Sequence, residues 1–277
     1  MTPPLSVLFL VKDEADRLPA ALDGVTWADE VVVVDTGSTD ATRRIAAERG
    51  ARVVSIPWEG WVASRNRALA EAAHDWVLCL DADERVSPAL AAEIRGALAS
   101  RGDGVSAFTM PRLASFLGRT VRHGTWYPDR KLRLARRSRR LRVEGGRVHE
   151  RFEVDGPVGR LAEPLLHDTY RSLDDALKKT ILYARLSADD RFERGVRAGA
   201  LSLIARPSWE VFRCYVWKLG FLDGAAGAGV ALLHGLSYAL RAAFLIERRR
   251  TARATPPESA ARPERSPQGA PRAAEET

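Results

Sequence analysis

The run Glu30-Val31-Val32-Val33-Val34-Asp35 sets four β-branched residues in a row. Such a run favours a strand, and alternate side chains point to opposite faces, so this strand is apolar on both. It therefore needs cover on both sides, which a mostly parallel sheet sandwiched between helices supplies. The neighbouring segments repeat the theme. Ser6–Val11, Arg52–Ile56 and Trp76–Leu80 read as further strands. Helical patterns separate them over Asp16–Val25, from Thr39 or Asp40 to Arg49 with Gly50 closing, and over Ala63–Ala73. Ser87-Pro88, an N-cap followed by proline at the first helical position, opens a helix to about Ala99. The expected class is α/β: a Rossmann-like mixed, mostly parallel sheet with helices on both faces.

This rhythm fades after Phe108–Met110, and charge then becomes informative. The 277 residues carry a formal charge of +7. Residues 1–111 are net −6, residues 112–151 net +10 and residues 152–250 net +3. An acidic first half argues against a protein coated in positive charge for nucleic acid. Within the basic block, Arg130-Lys131-Leu132-Arg133-Leu134 alternates polar and apolar and is expected as an edge strand with its arginines outward. The block as a whole is expected to contact anionic partners, phosphate groups or acidic lipid headgroups among them.

Ser172–Phe192 returns to helical spacing, and Trp209–Ile246 is apolar. Gly224–Leu240 holds 17 residues without Asp, Glu, Lys or Arg, and Arg241 and Arg248-Arg249-Arg250 follow. A helix lying at a membrane surface is favoured there over a packed soluble helix or a true span. From Thr251 onward Pro, Ala, Arg and Glu dominate, as in a disordered tail. Four units are thus expected: 1–111, the α/β half; 112–170, carrying the basic block; 171–250, helical and membrane-associating; and 251–277, a tail. Cys79 sits in an apolar run as a core residue, and two cysteines build no disulfide framework. The apolar run Val7–Val11 is too short for a signal peptide, so a cytoplasmic chain is expected.

Ligands of open α/β sheets bind beyond the carboxyl ends of the strands. Lys12-Asp13-Glu14, Asp35 to Asp40 and Asp81-Ala82-Asp83-Glu84 all fall there, and Arg65-Asn66 lies in the third helix. No Gly-x-Gly-x-x-Gly follows the first strand, and no Gly-x-x-x-x-Gly-Lys-[Ser/Thr] exists, so a nucleotide must be held by other means. Asp81-x-Asp83 can supply two carboxylates to one hard cation that neutralises a diphosphate. The competing reading is an acidic turn capping the next helix.

These segments, Ser6–Glu14, Trp27–Asp40 and Leu80–Glu84, resemble family-2 glycosyltransferases of the GT-A fold. Trp126-Tyr127-Pro128-Asp129, Val148-His149-Glu150 and Gly220–Gly224 are similar to the subgroup of lipopolysaccharide core β-1,4-glucosyltransferases. The resemblance spans roughly residues 5–246, and Lys12-Asp13-Glu14 departs from the more usual Lys-Asn-Glu. It implies that Glu14 and Asp35 contact the ribose and base of a sugar nucleotide, and that Arg65 and Asn66 approach the nucleotide. Asp81 and Asp83 would bind Mg²⁺ or Mn²⁺. The reaction would invert the anomeric centre by single displacement, so a carboxylate must take the acceptor proton. Glu150 is the expected base and Asp129 the runner-up, beside an aromatic turn suited to stacking a sugar. His149 is expected at the metal or diphosphate, and His167 is a further metal candidate. His74, His123 and His234 read as structural or surface residues. The expected partners are a UDP-sugar, a saccharide or lipid-linked acceptor and an anionic membrane surface, not nucleic acid. The expected place is the cytoplasmic face of the inner membrane, in envelope glycan synthesis. A sugar nucleotidyltransferase and a non-catalytic membrane-associated scaffold are the alternatives.

Overall fold

Four parallel strands, β1 (Leu5–Val11), β2 (Glu30–Asp35), β3 (Arg52–Ser55) and β4 (Trp76–Leu80), stand in the order β3-β2-β1-β4. They alternate with α1 (Leu18–Asp23), α2 (Thr42–Glu48) and α3 (Trp61–Ala70). The computed structural model describes residues 2–101, 104–116, 118–145 and 150–254. Both faces of the strands are buried, as their composition demands. Val7, Phe9, Val33, Trp76, Leu78 and Leu80 pack on one face with Leu18 and Leu22 of α1 and Leu90 and Ile94 of α4 (Pro88–Arg101). Leu8, Leu10, Val32, Val34, Val77 and Cys79 pack on the other with Ala68 and Leu69 of α3. Each fully buried aliphatic contributes about 1.5–3 kcal/mol over leaving it exposed. Ser87 caps α4 as expected, its hydroxyl accepting from the Leu90 N–H at 3.1 Å.

After β5 (Glu84–Arg85) the sheet continues through β6 (Ala107–Phe116), β7 (Arg119–Thr120) and β8 (Asp129–Arg136). The hairpin β9 (Arg142–Gly145) and β10 (Glu150–Glu153) forms a separate two-stranded sheet. It is followed by β11 (Val158–Arg160) and β12 (Leu165–His167). The main path runs β3-β2-β1-β4-β8-β6-β12-β5, with β8 antiparallel to both neighbours. This corrects the expectation of an edge strand at 130–134. β8 lies inside the sheet because its apolar positions are sheltered on one face while Arg133 on the other finds buried carboxylates. The expected division at residue 111 falls inside β6, a strand shared by both halves.

The basic block is largely consumed within the molecule. Arg136 stacks on Trp76, its guanidinium 5.0 Å from the ring centroid, and Arg137 donates to the Ala72 carbonyl. Arg130 donates to the carbonyls of Thr109 and Leu161, and Arg142 pairs with Glu144 and Asp155.

The C-terminal part comprises α5 (Leu173–Glu193), α6 (Ala205–Phe212) and α7 (Gly224–Ala254). Between α6 and α7 lie a π turn, Arg213–Trp217, and a 3-10 turn, Gly220–Asp223. By length and composition α7 could cross a bilayer, yet it packs along α5 and α6. Its Ala226, Val230, Ala231 and Leu233 are buried with Phe116, Val121 and Cys214. Asp223 anchors this unit to the sheet domain by accepting the N–H groups of Arg122 and His123 and meeting His123 Nδ1 at 2.9 Å. The turn onto α7 is close-packed: a Cβ on Gly227 would sit 1.8 Å from the Gly220 carbonyl oxygen. Gly227→Ala should therefore cost at least about 2 kcal/mol through overpacking, read as a Tm lower by about 4 °C or more. An unchanged melting curve would show that the turn has slack. Residues 255–277 of the expected tail lie outside the described residues.

Candidate active site

The carboxyl ends of β1, β2 and β4 and the end of β12 converge on one cavity of about 670 Å³. Lys12, Glu14 and Arg17 line it from the first loop, Asp81 and Asp83 from the loop after β4, and His167 from β12.

The two aspartates of Asp81-x-Asp83 have different surroundings. Asp81 gives one oxygen to Arg65 Nη2 and the other to Arg133 Nη2, each at 2.6 Å. Burial opposes its ionisation, but the guanidinium groups of Arg133 and Arg65 outweigh that and hold the carboxyl well below the usual carboxylate range. Arg133 reaches Glu84 as well, at 2.7 Å, and Glu84 is fully buried. Burial disfavours the charged form of Arg133, and Asp81 and Glu84 more than reverse this. Asp83 instead faces His167, with 3.5 Å between Oδ2 and Nε2, and Arg17, at 3.3 Å. His167 is itself buried, and its Nδ1 meets Thr169 Oγ1 at 2.9 Å. The hydroxyl of Thr169 can accept from or donate to Nδ1, so this contact fixes the ring orientation with Nε2 toward Asp83.

The loop after β1 is held by short polar contacts. Asp13 adopts a left-handed backbone, φ 52°, which Asp and Asn tolerate best among side-chain-bearing residues. Its carboxylate accepts the Thr39 N–H at 2.7 Å, and that bond is the main cause of its lowered pKa. The tolerance explains why Asp can stand where the resemblance expects Asn. Glu14 is raised by burial, opposed by Arg171, whose guanidinium bridges Glu14 at 2.6 Å and Asp16 at 2.7 Å. Arg171 thus ties the segment before α5 to the first loop.

Other expected residues have partners within the fold. Asp35 is buried and accepts the N–H groups of Gly37 and Ser38. The Asn66 amide forms two bonds with Val143, donating to its carbonyl at 2.9 Å and accepting its N–H at 2.8 Å. It therefore fixes β9, whose partner strand begins at Glu150, paired to Gly145. Asp129 is bound by Arg112 at 2.7 Å and Lys131 at 3.2 Å. Asp35, Asn66 and Asp129 do not line the cavity, whereas Glu14, Arg65, Asp81 and Asp83 do. Trp126 packs against Phe116 and Tyr170. His149 lies outside the described residues.

The sequence reading missed Arg17, Arg133 and two tryptophans. Trp58 and Trp61, 4.8 Å apart edge to face, are both about half exposed on the cavity rim. Exposed tryptophan at a polar cavity was a usable signal. Cys79, beside Asp81, is pushed up to about 12 by burial and is unreactive as a nucleophile.

Residues 6–150 match the sequence profile of Glycosyl transferase family 2. The chain is 29% identical over 243 residues to the lipopolysaccharide core biosynthesis glycosyltransferase LpsC of Rhizobium meliloti (strain 1021), covering 83% of this chain and 90% of that one. It is 27% identical to an uncharacterized glycosyltransferase of Rickettsia bellii (strain RML369-C), covering 89% and 87%. A crystal structure of glucosyl-3-phosphoglycerate synthase from Mycobacterium tuberculosis superposes with a TM-score of 0.48 at 19% identity, over 71% of this chain and 82% of that one. The mixed sheet with its ligand edge at β1, β2 and β4 is the α/β arrangement of a GT-A sugar-transfer enzyme. The chain belongs to glycosyltransferase family 2.

Proposed function

We propose that the protein transfers glucose from UDP-glucose to a saccharide or lipid-linked acceptor in envelope glycan or lipopolysaccharide synthesis, with inversion at the anomeric carbon. The observation that carries this reading is the facing pair Asp83 and His167, 3.5 Å apart at the sheet edge. LpsC's involvement in lipopolysaccharide core biosynthesis supports the acceptor class.

The donor set suits Mg²⁺ or Mn²⁺. Asp83 supplies a hard oxygen and His167 an imidazole nitrogen, which between them suit Mn²⁺ at least as well as Mg²⁺. Among the described residues no group of three His, Cys, Asp or Glu side chains forms a complete cage. Asp83 and His167 would hold the cation with diphosphate oxygens completing its shell, and the cation would neutralise charge on the departing UDP. Asp81, with both oxygens on arginines, orients Arg65 and Arg133 instead. Arg17 Nη2 is buried with no hydrogen-bond partner and is a donor suited to a phosphate oxygen. Trp61, on the rim and with Arg65 5.6 Å from its ring centroid, offers a face to the uracil or the sugar.

Glu150 would take the proton of the acceptor hydroxyl as that oxygen attacks the anomeric carbon and the bond to the diphosphate breaks. Asn66, through Val143, positions the hairpin that carries it. The reading places the enzyme on the cytoplasmic face of the inner membrane, where a lipid-linked acceptor is met. The test is release of UDP from UDP-glucose. Turnover should require Mn²⁺ or Mg²⁺ and stop with EDTA, and UDP with metal should raise the melting temperature. A protein that neither binds UDP nor turns over any nucleotide sugar would remove the proposal.

A further inference from the structure

A second cavity, of about 660 Å³, opens between α5, α6 and α7, away from the sheet edge. Arg191, Arg197, Arg206 and Arg241 line it together with Tyr238 and Trp209, and among the described residues no carboxylate does. Arg241 and Arg206 lie against the Tyr238 ring, 4.4 and 5.4 Å from its centroid. Arg241 Nε is buried with no hydrogen-bond partner. The acidic groups on the same helices have partners, and one of those partners is Arg206 of the cavity itself. Glu210 is shared by Arg206, Arg213 and His234, Asp189 faces Arg248, and Asp190 faces Arg194. Beside Arg206, whose charge Glu210 balances, the guanidinium groups of Arg191, Arg197 and Arg241 line one concavity with a surplus of positive charge, a setting for a phosphate-bearing group.

The surroundings select the kind of phosphate. The chain from 201 to 222 exposes large apolar side chains in succession: Leu201 is 76% exposed, Ile204 69% and Trp217 68%. Phe212, Leu219, Phe221 and Leu222 are also exposed. Within this stretch Trp209, Phe212 and Trp217 touch, their rings 5.8 and 6.2 Å apart, and exposed apolar groups gathered this way mark an interaction site. Beside a basic cavity it suits the boundary between headgroups and acyl chains, where tryptophan is favoured.

The geometry points to an anionic phospholipid site: the headgroup phosphate sits among Arg191, Arg197 and Arg241 while the apolar side chains of 201–222 enter the bilayer. The membrane contact then belongs to this segment and to α5. Part of Gly224–Leu240 is buried against the rest of the molecule, while Leu232 and Leu236 remain exposed. Tyr183 of α5 lines the active-site cavity, and Arg191, eight residues on, lines this one, so about 12 Å of helix connects them. A lipid-linked acceptor held at the membrane would thus have its sugar within reach of the sheet edge. This last step rests on the glycosyltransfer reading above.

The test is co-sedimentation of the full chain with vesicles of phosphatidylcholine alone or with 30% phosphatidylglycerol added (about a third anionic lipid, as in a strongly charged leaflet). Binding should require the anionic lipid. Arg191 and Arg197 are exposed, so Arg191→Gln/Arg197→Gln should fold normally and bind roughly thirtyfold more weakly, about fivefold per charge. Leu201→Ser/Ile204→Ser should weaken binding too. UDP release in solution should be unchanged in both. Equal binding to neutral vesicles, or no loss in the arginine variant, overturns the site. So does stabilisation by inorganic phosphate without vesicle binding, or a solution dimer that Leu201→Ser/Ile204→Ser dissociates. Vesicle binding as described without UDP release would leave the site standing and remove the glycosyltransfer reading alone.

Discussion

Replacing Arg133 with methionine should lower stability by about 3 kcal/mol, more than a surface substitution does, because it leaves buried carboxylates without their counter-charge. Arg133 Nη2 serves Asp81 at 2.6 Å and Glu84 at 2.7 Å. Glu84 is fully buried, and its next cation, Arg112, stands at 3.7 Å. Its other oxygen accepts the Asp81 N–H at 3.1 Å, so the turn after β4 depends on the same group. Arg65 remains to hold Asp81, which keeps the loss near the lower end of the range for breaking a buried pair. Thermal unfolding should show a Tm lower by about 6–12 °C. The loss also depends on pH. The native Asp81 carboxyl is depressed, so its contribution is complete above the unfolded value, about 3.9, and fades as pH falls below it. The gap between wild type and variant should narrow below about pH 4. Adding Glu84→Gln to the variant should recover part of the loss, since both partners are then uncharged. A single variant as stable as the parent at pH 7 would mean that the three groups are not coupled.

Much of this fold is written in local pattern. β2 and β4 end where the apolar runs end, because residues apolar on both faces leave no other arrangement. The ligand edge follows, since the loops after β1, β2 and β4 must share one end of a parallel sheet. What local pattern cannot reveal is which polar side chain turns inward. Arg133 sits among six other basic residues between 130 and 140, and alternation alone made all of them look solvent-facing. Its burial is set by Glu84, 49 residues earlier in the chain. The resemblance already favoured Asp83 over Asp81 as the direct metal ligand, but the different surroundings that Arg65, Arg133 and His167 bring from distant segments were not legible. Asn66 read as a nucleotide residue because it sits in the right helix, but its amide matches the two backbone groups of Val143. Trp58 and Trp61 flank Glu59-Gly60 at the start of α3, and their exposure comes from that turn, not from local composition.

Asp83→Asn should abolish most turnover, by at least a hundredfold, because it removes the carboxylate that faces His167 across the site. A catalytic cation contributes several kcal/mol to stabilising charge in the transition state, and each 1.36 kcal/mol is a factor of ten in rate. Asn keeps the size and one oxygen but not the charge that holds a divalent ion beside His167. The variant should also lose the metal-dependent part of the stabilisation by UDP, which ties the rate loss to binding of the cation. His167→Ala should act in the same direction. Glu150→Gln should separate from both: donor and metal still bind, so the thermal shift with UDP persists, while the rate falls by about 10²–10⁴ for loss of a general base. Asp81→Asn should show a third pattern, losing stability together with activity, since Arg65 then faces a neutral group and Arg133 keeps only Glu84. The discriminating measurement is UDP-dependent thermal shift with and without Mn²⁺, set beside the initial rate, for the four proteins. If Asp83→Asn keeps the metal-dependent shift while Asp81→Asn loses it, the assignment of ligand and positioning residue is reversed.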